Sequence, residues 1–124
     1  MNCTFARRIS VIMPCFNAAD FVSEAVVSVM NQTHPDVELV VVDDGSTDGS
    51  LDVLRGLAEL YAPRITLLLQ ERRGPYPARN LALRHAGGGL IAFLDADDYW
   101  TPDCLERLAA AIDAAGADLA YCGW

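Results

Sequence analysis

Val40-Val41-Val42-Asp43-Asp44-Gly45-Ser46 runs a β-branched stretch straight into two carboxylates, and Ile91-Ala92-Phe93-Leu94-Asp95-Ala96-Asp97-Asp98 repeats the arrangement. Short apolar runs bounded in this way read as strands of an open α/β sheet. Such sheets bind ligands outside the carboxyl ends of their parallel strands. Aspartates gathered at one edge repel each other unless a cation or a donor-rich ligand sits among them. The two segments therefore predict a metal and a ligand whose charge the metal neutralises.

Working outward, Ile9 to Met13 is a first buried strand ended by Pro14. From Ala19 to Gln32, Phe21, Ala25, Val26, Val29 and Met30 recur at helical spacing, with Asn17 and Asp20 as candidate caps. Val37 to Val42 is a second strand. A turn through Gly45 and Gly49 leads into a helix with Leu51, Leu54, Ala58 and Tyr61 on one face. Ile65 to Leu69 is a third strand, and Pro77 to Ala86 is helical up to the glycines at 87–89.

Leu90 to Leu94 is the fourth strand. Thr101 as cap and Pro102 at the first helical position open a last helix, with Leu105, Leu108, Ala109 and Ile112 as its buried stripe and Gly116 as its stop. Asp118 to Cys122 reads as the start of a fifth strand. Strands alternating with helices predict βαβ crossovers, hence an α/β fold with a mostly parallel sheet and helices on both faces. The expectation is a single domain over 1–124 that stops at the start of a strand, as a truncated fold would.

Composition narrows the function. The chain has 124 residues, is 52% hydrophobic and carries a net charge of −8, which fits a packed globule and disfavours nucleic acid as a partner. No apolar run reaches the ~18 residues of a transmembrane segment, and Pro14 ends the first apolar stretch too early for a signal peptide. A cytoplasmic location, or one at the inner face of the membrane, is expected. Cys3, Cys15, Cys104 and Cys122 show no metal-ligand spacing and read as buried or partly buried thiols. His34 and His85 are isolated and receive no role.

Each candidate residue has an ordinary alternative. Asp95 and Asp97, at i and i+2 beyond a strand, can both reach one cation, and their hard oxygens suit Mg²⁺ or Mn²⁺. The alternative is a solvated turn before the next helix, a role that Asp98 can fill alone. Asp43 continues its strand directly and can accept a hydrogen bond from a ring N–H or from ribose hydroxyls. Ser46, Thr47 and Asp48 supply turn and cap chemistry. Pro14-Cys15-Phe16-Asn17 ends the first strand and shares the edge with these carboxylates; Phe16 packs over a base or joins the core. Arg79 either neutralises a diphosphate or pairs with one of the aspartates.

Four segments in register resemble the nucleotide-binding half of the family 2 glycosyltransferases: ISVIMPCFN from Ile9, ELVVVDDGSTDGS from Glu38, ARNLAL from Ala78 and LIAFLDADDYWTPD from Leu90. The likeness runs from about Ile9 to Trp124. It implies the Rossmann-like GT-A fold, here without its acceptor-binding half, and a nucleotide-sugar donor, UDP being the commonest carrier. By the same likeness Asp43 contacts the base, Asp44 lies close to the nucleotide, and Asp95 lies near the ribose and sugar. Asp97, with Asp95, holds Mn²⁺ or Mg²⁺ on the diphosphate. Arg79 assists the phosphates, and Pro14 and Asn17 shape the base-side loop. The reaction implied is metal-dependent, mostly inverting transfer to an acceptor hydroxyl on a saccharide, lipid or protein.

The catalytic base of that reaction is expected beyond Trp124, so none of Asp103, Glu106, Asp113 and Asp118 is promoted to the role. Departures from the family pattern are Tyr76-Pro77 before Ala78-Arg79-Asn80, the triple glycine at 87–89, and Cys15 where threonine is common. Competing classes fail on particular residues. A dehalogenase-type phosphatase wants Thr or Val at Tyr99, and both it and a phospho-receiver want a lysine, whereas all nine basic residues are arginine. A Rossmann dehydrogenase wants a glycine-rich turn after the first strand. The remaining alternative is a fragment that binds nucleotide-sugar, or only self-associates into an oligomer or swapped dimer, without turnover.

Overall fold

Parallel strands covered on both faces need near-continuous apolar runs, and the first two strands supply them from Val11 to Cys15 and from Leu39 to Val42. The structure, a computed structural model, describes residues 7–115. Its elements are β1 (Ile9–Cys15), α1 (Val22–Met30), β2 (Val37–Asp44), α2 (Ser50–Leu60), β3 (Ile65–Gln70), α3 (Pro75–His85), β4 (Leu90–Phe93) and α4 (Cys104–Ala115). The strands form one all-parallel sheet in the order β3-β2-β1-β4. β1 and β2 are the inner strands, which is why neither alternates apolar with polar.

The core splits by face. Val11, Met13 and Cys15 of β1 and Leu39 and Val41 of β2 pack with Val22, Val26 and Val29 of α1, Leu54 of α2 and Leu105 of α4. Ile12, Val40 and Val42 point the other way, onto Ala78 and Ala82 of α3. Helices thus cover both faces, as expected, with α3 the one on the second among the described residues. Truncating a side chain as enclosed as Leu54 or Leu105 would cost about 2–5 kcal/mol. The outer edge of β4 has no partner strand among the described residues, and Ile91 and Phe93 stand exposed beside it.

Three helix starts differ from expectation, each for a local reason. α1 begins at Val22 rather than Ala19, with Phe21 as an N-cap that makes no side-chain bond. Asn17 cannot cap it: its φ is +48°, in the left-handed region, and its carboxamide is engaged elsewhere. α3 begins at Pro75, so both prolines lie in its first turn, where a missing N–H costs nothing. α4 begins at Cys104, beyond Pro102; Thr101 Oγ1 bonds Asp103 instead of the backbone, and the Leu105 amide donates to Gln32 Oε1 at 2.8 Å. Gln32 Nε2 also donates to Thr101 O at 2.7 Å, so a residue two positions beyond α1 ties down the start of α4.

The expected stop at Gly116 and fifth strand at 118–122 lie outside the described residues. Among those described, no helix is long and apolar enough to cross a membrane.

Candidate nucleotide and metal site

The chain runs from β1 through β2 to β3 on one side, then crosses back so that β4 lies on the other side of β1. That reversal leaves a crevice beyond the carboxyl ends of β1 and β4, the position where open α/β sheets bind ligands. A cleft of about 390 Å³ opens there. Pro14 and Asn17 from the β1–α1 loop, Asp44 from the end of β2, Arg79 from α3, and Asp95 and Asp97 beyond β4 all line it.

Asp43 does not. The strand turns its side chain away from the cleft and into the protein, where it is 3% exposed. Oδ2 accepts the Ser46 amide at 3.1 Å, and Oδ1 is buried without a hydrogen-bond partner. Its neighbour across the sheet is Cys15. Burial, then the charge of Asp43, pushes the Cys15 thiol up to about 11 against weaker opposing hydrogen bonds from Ser50 and Ala18. Alternation along β2 decides the difference: adjacent residues face opposite sides, and the one that reaches the cleft is Asp44.

Asp44 gathers four donors. Gln70 Nε2 (2.7 Å) and the Arg73 amide (2.8 Å) reach Oδ1, while the Gly74 amide (3.0 Å) and Arg72 Nη1 reach Oδ2. Burial raises its pKa, but these hydrogen bonds outweigh that and hold the carboxyl below its ordinary value. The loop from 70 to 74 is therefore folded around one carboxylate. Gly45 allows the approach: its φ is +72°, and a Cβ there would lie 2.9 Å from the Arg72 amide nitrogen.

The β1–α1 loop is fastened to the β2–α2 loop in the same way. Asn17 Oδ1 accepts the amides of Thr47 (2.8 Å) and Asp48 (3.3 Å), and the Asn17 amide donates to Ser46 Oγ at 3.0 Å. Ser50 Oγ receives the Ala18 amide at 2.8 Å. Asp48 accepts both the Ser50 amide (2.9 Å) and its hydroxyl (2.6 Å), which meets the first donor of α2 from one residue before the cap. Ser46, Thr47 and Asp48 are thus engaged in holding these loops, and Asn17 ties the loop leaving β1 to the one leaving β2.

Beyond β4 the Asp98 amide donates to Asp95 O at 3.0 Å, closing a tight turn. The turn brings one carboxylate oxygen from each of Asp95, Asp97 and Asp98 within 4.8 Å of one another, all three residues exposed. Three hard oxygen donors with open faces fit Mg²⁺ or Mn²⁺, which keep waters and take phosphate oxygens as further ligands. Arg79 Nη2 bonds Asp95 Oδ1 at 3.2 Å, so the pairing alternative holds, while the guanidinium still lines the cleft.

Sequence reasoning missed two features. Asp98 joins the acidic group, a consequence of the turn that the spacing alone left open. Arg72 enters the cleft from the β3–α3 loop, with its Cζ 3.7 Å from the centroid of the Phe16 ring. The usable signal was the register: Gln70 pairs with Asp44, so residues just after it must reach the same edge.

A parallel sheet in the order β3-β2-β1-β4 with acidic loops around its switch point defines an open, doubly wound α/β fold. The comparisons with known proteins agree. The model of glycosyl transferase family 2 matches residues 10–124, and the chain belongs to that family. The putative teichuronic acid biosynthesis glycosyltransferase TuaG of Bacillus subtilis is 43% identical over 99 residues, 80% of this chain and 39% of that protein. Among solved structures, S. aureus TarS in complex with UDP superposes with a TM-score of 0.78 at 34% identity, over 86% of this chain and 32% of that one. The mannosyltransferase PcManGT from Pyrobaculum calidifontis, in complex with GDP-Man and Mn²⁺, gives 0.78 at 38% identity, over 88% and 32%. The chain spans 31–40% of the length of the first curated relatives it matches.

Proposed function

We propose that this chain is the donor-binding part of a glycosyltransferase that moves a sugar from a nucleoside-diphosphate sugar, UDP-sugar foremost, to an acceptor hydroxyl. The observation that carries the reading is one cleft, at the switch point of the sheet, lined by Asp44 and by Asp95 and Asp97, with the Asp98 carboxylate close to the latter two. Solved relatives hold UDP in one case and GDP-Man with Mn²⁺ in another, which supports the same ligand class here.

The base sits against Phe16 and the β1–α1 loop, with a ring N–H directed to Asp44. The base contact first expected of Asp43 passes to Asp44, because Asp43 is turned inward and holds the turn through Ser46. Asp95 and Asp97, with Asp98 beside them, hold a divalent cation against the diphosphate. When bound, that cation offsets the charge that grows on the leaving diphosphate as the sugar–phosphate bond breaks. Arg79 keeps Asp95 oriented and adds positive charge on the phosphate side. Attack by the acceptor oxygen opposite the leaving group inverts the anomeric centre. We assign the base that takes its proton outside the described residues, and the acceptor to the saccharide, lipid and protein hydroxyls as a class.

Binding without turnover is the second reading, since the groups that line the cleft are assigned to the donor and its cation and none of them to the acceptor's proton. Electron paramagnetic resonance of Mn²⁺ with UDP tests the site itself. The free-ion signal should fall on wild type when UDP is added and persist with Asp95→Asn and Asp97→Asn. Equal loss of signal in all three proteins would remove the metal assignment. Sugar transfer assayed with UDP- and GDP-sugars then separates enzyme from binding module.

A further inference from the structure

Arg72 is held by two contacts that a nucleobase would also make. Its guanidinium lies flat-stacking distance from Phe16, 3.7 Å from the ring centroid, which leaves no room for a second ring between them. Its Nη1 is paired with Asp44, whose side chain is 2% exposed. Asp44 offers about four lone-pair positions and has four donors, so a new N–H must replace one of them. Two of the four are backbone amides, and Gln70 is the Cα partner of Asp44 in the sheet; these belong to the fold of the loop. Arg72, with a side chain 52% exposed, is the one able to swing into solvent.

We infer that Arg72 is a built-in occupant of the base subsite, so that a nucleotide enters by displacing the guanidinium from both Phe16 and Asp44. The inference rests on the nucleotide-sugar reading above. A planar cation stacked on an aromatic ring and donating to a carboxylate presents the pattern of a base that carries a ring N–H. Uracil, thymine and guanine return that donor to Asp44. Cytosine and adenine carry a lone pair at the corresponding ring nitrogen and leave Asp44 facing an acceptor, a mismatch that buried polar sites penalise heavily. The exchange therefore makes Arg72 a specificity-determining residue. Arg72 can carry its charge into solvent, and the incoming N–H takes over its bond to the buried Asp44, so the exchange leaves no lone pair of the carboxylate unmet.

Calorimetric titration of UDP and CDP, each with Mn²⁺, into wild type, Arg72→Ala and Arg72→Lys tests this, with unfolding midpoints recorded to verify that each variant is folded. Removing the occupant should tighten UDP binding by about three- to tenfold in Arg72→Ala, with Arg72→Lys between it and wild type. Wild type should favour UDP over CDP by about tenfold or more. Weaker UDP binding by folded Arg72→Ala would overturn the inference while leaving the functional reading intact, since Arg72 would then hold the nucleotide. Equal affinity for UDP and CDP would overturn it as well. If neither folded wild type nor folded Arg72→Ala binds any nucleotide, the functional reading itself fails and the inference falls with it.

Discussion

Asn17 Oδ1 accepts the amide of Thr47, thirty residues further along the chain, at 2.8 Å, and through that bond the loops leaving β1 and β2 become one wall of the cleft. The Asn17 backbone meets the geometry with φ +48°, a conformation asparagine tolerates better than most residues. Asn17→Gly adopts the same backbone freely but loses the carboxamide. It should cost about 1–2 kcal/mol in urea unfolding, and Asn17→Ala, which adds backbone strain, should cost more. Equal loss in the two variants would mean that the backbone conformation is not strained here.

Gly45 allows the 70–74 loop to close on Asp44. A methyl group there would meet the Arg72 backbone at 2.9 Å on a left-handed φ, and backbone is not free to yield. Gly45→Ala should lower stability by about 1–3 kcal/mol and weaken nucleotide binding, because the loop must withdraw from the cleft. Chemical denaturation and titration on the same variant check both effects. Gly49, where a Cβ would meet nothing, is the control and should accept Ala with little change.

Acid should unfold the protein through the same contacts. The hydrogen bonds to Asp44 and Asp48 depress both carboxyls below the ordinary 3.8. A depressed carboxyl contributes stability that is fully present above its unfolded value and is lost as pH falls through its folded value. Urea midpoints should therefore hold level from neutrality down to just above the ordinary aspartate range and decline below it. A decline beginning near pH 6 would contradict this assignment.

Cys15 lines the cleft yet is buried, and its thiol is pushed up to about 11. It should resist alkylation at pH 8 in the native state and react promptly in denaturant. Mass mapping of the labelled peptide reads this directly. Fast native labelling of Cys15 would mean that the β1–α1 loop opens far more often than its latch to Thr47 allows.

Much of this fold was legible because its signals are dense. The apolar runs ending in Asp43-Asp44 and Asp95-Ala96-Asp97 gave the strands and the edge, and the alternation with helical stretches gave the parallel sheet. Helix starts were less legible, since Gln32 and Asn17 act across the fold on elements far from them in sequence. The choice between Asp43 and Asp44 depends on which way β2 faces, and neighbouring identical residues carry no sign of that. For Arg72 the strand register places the residues after Gln70 at this edge, but a loop arginine gains its partners only when Asp44 and Phe16 are brought to it.

We propose that this cleft binds a nucleoside diphosphate through a divalent cation. Thermal unfolding with UDP, GDP, TDP and CDP, with and without Mn²⁺, on wild type and Asp97→Asn tests it most directly. A ligand at about a hundred times its Kd stabilises by about 2.7 kcal/mol, several degrees for a domain of this size. The expected result is a shift with UDP that needs Mn²⁺, is smaller with CDP, and disappears in Asp97→Asn. No shift with any nucleotide, or a shift indifferent to both Mn²⁺ and Asp97, would contradict it.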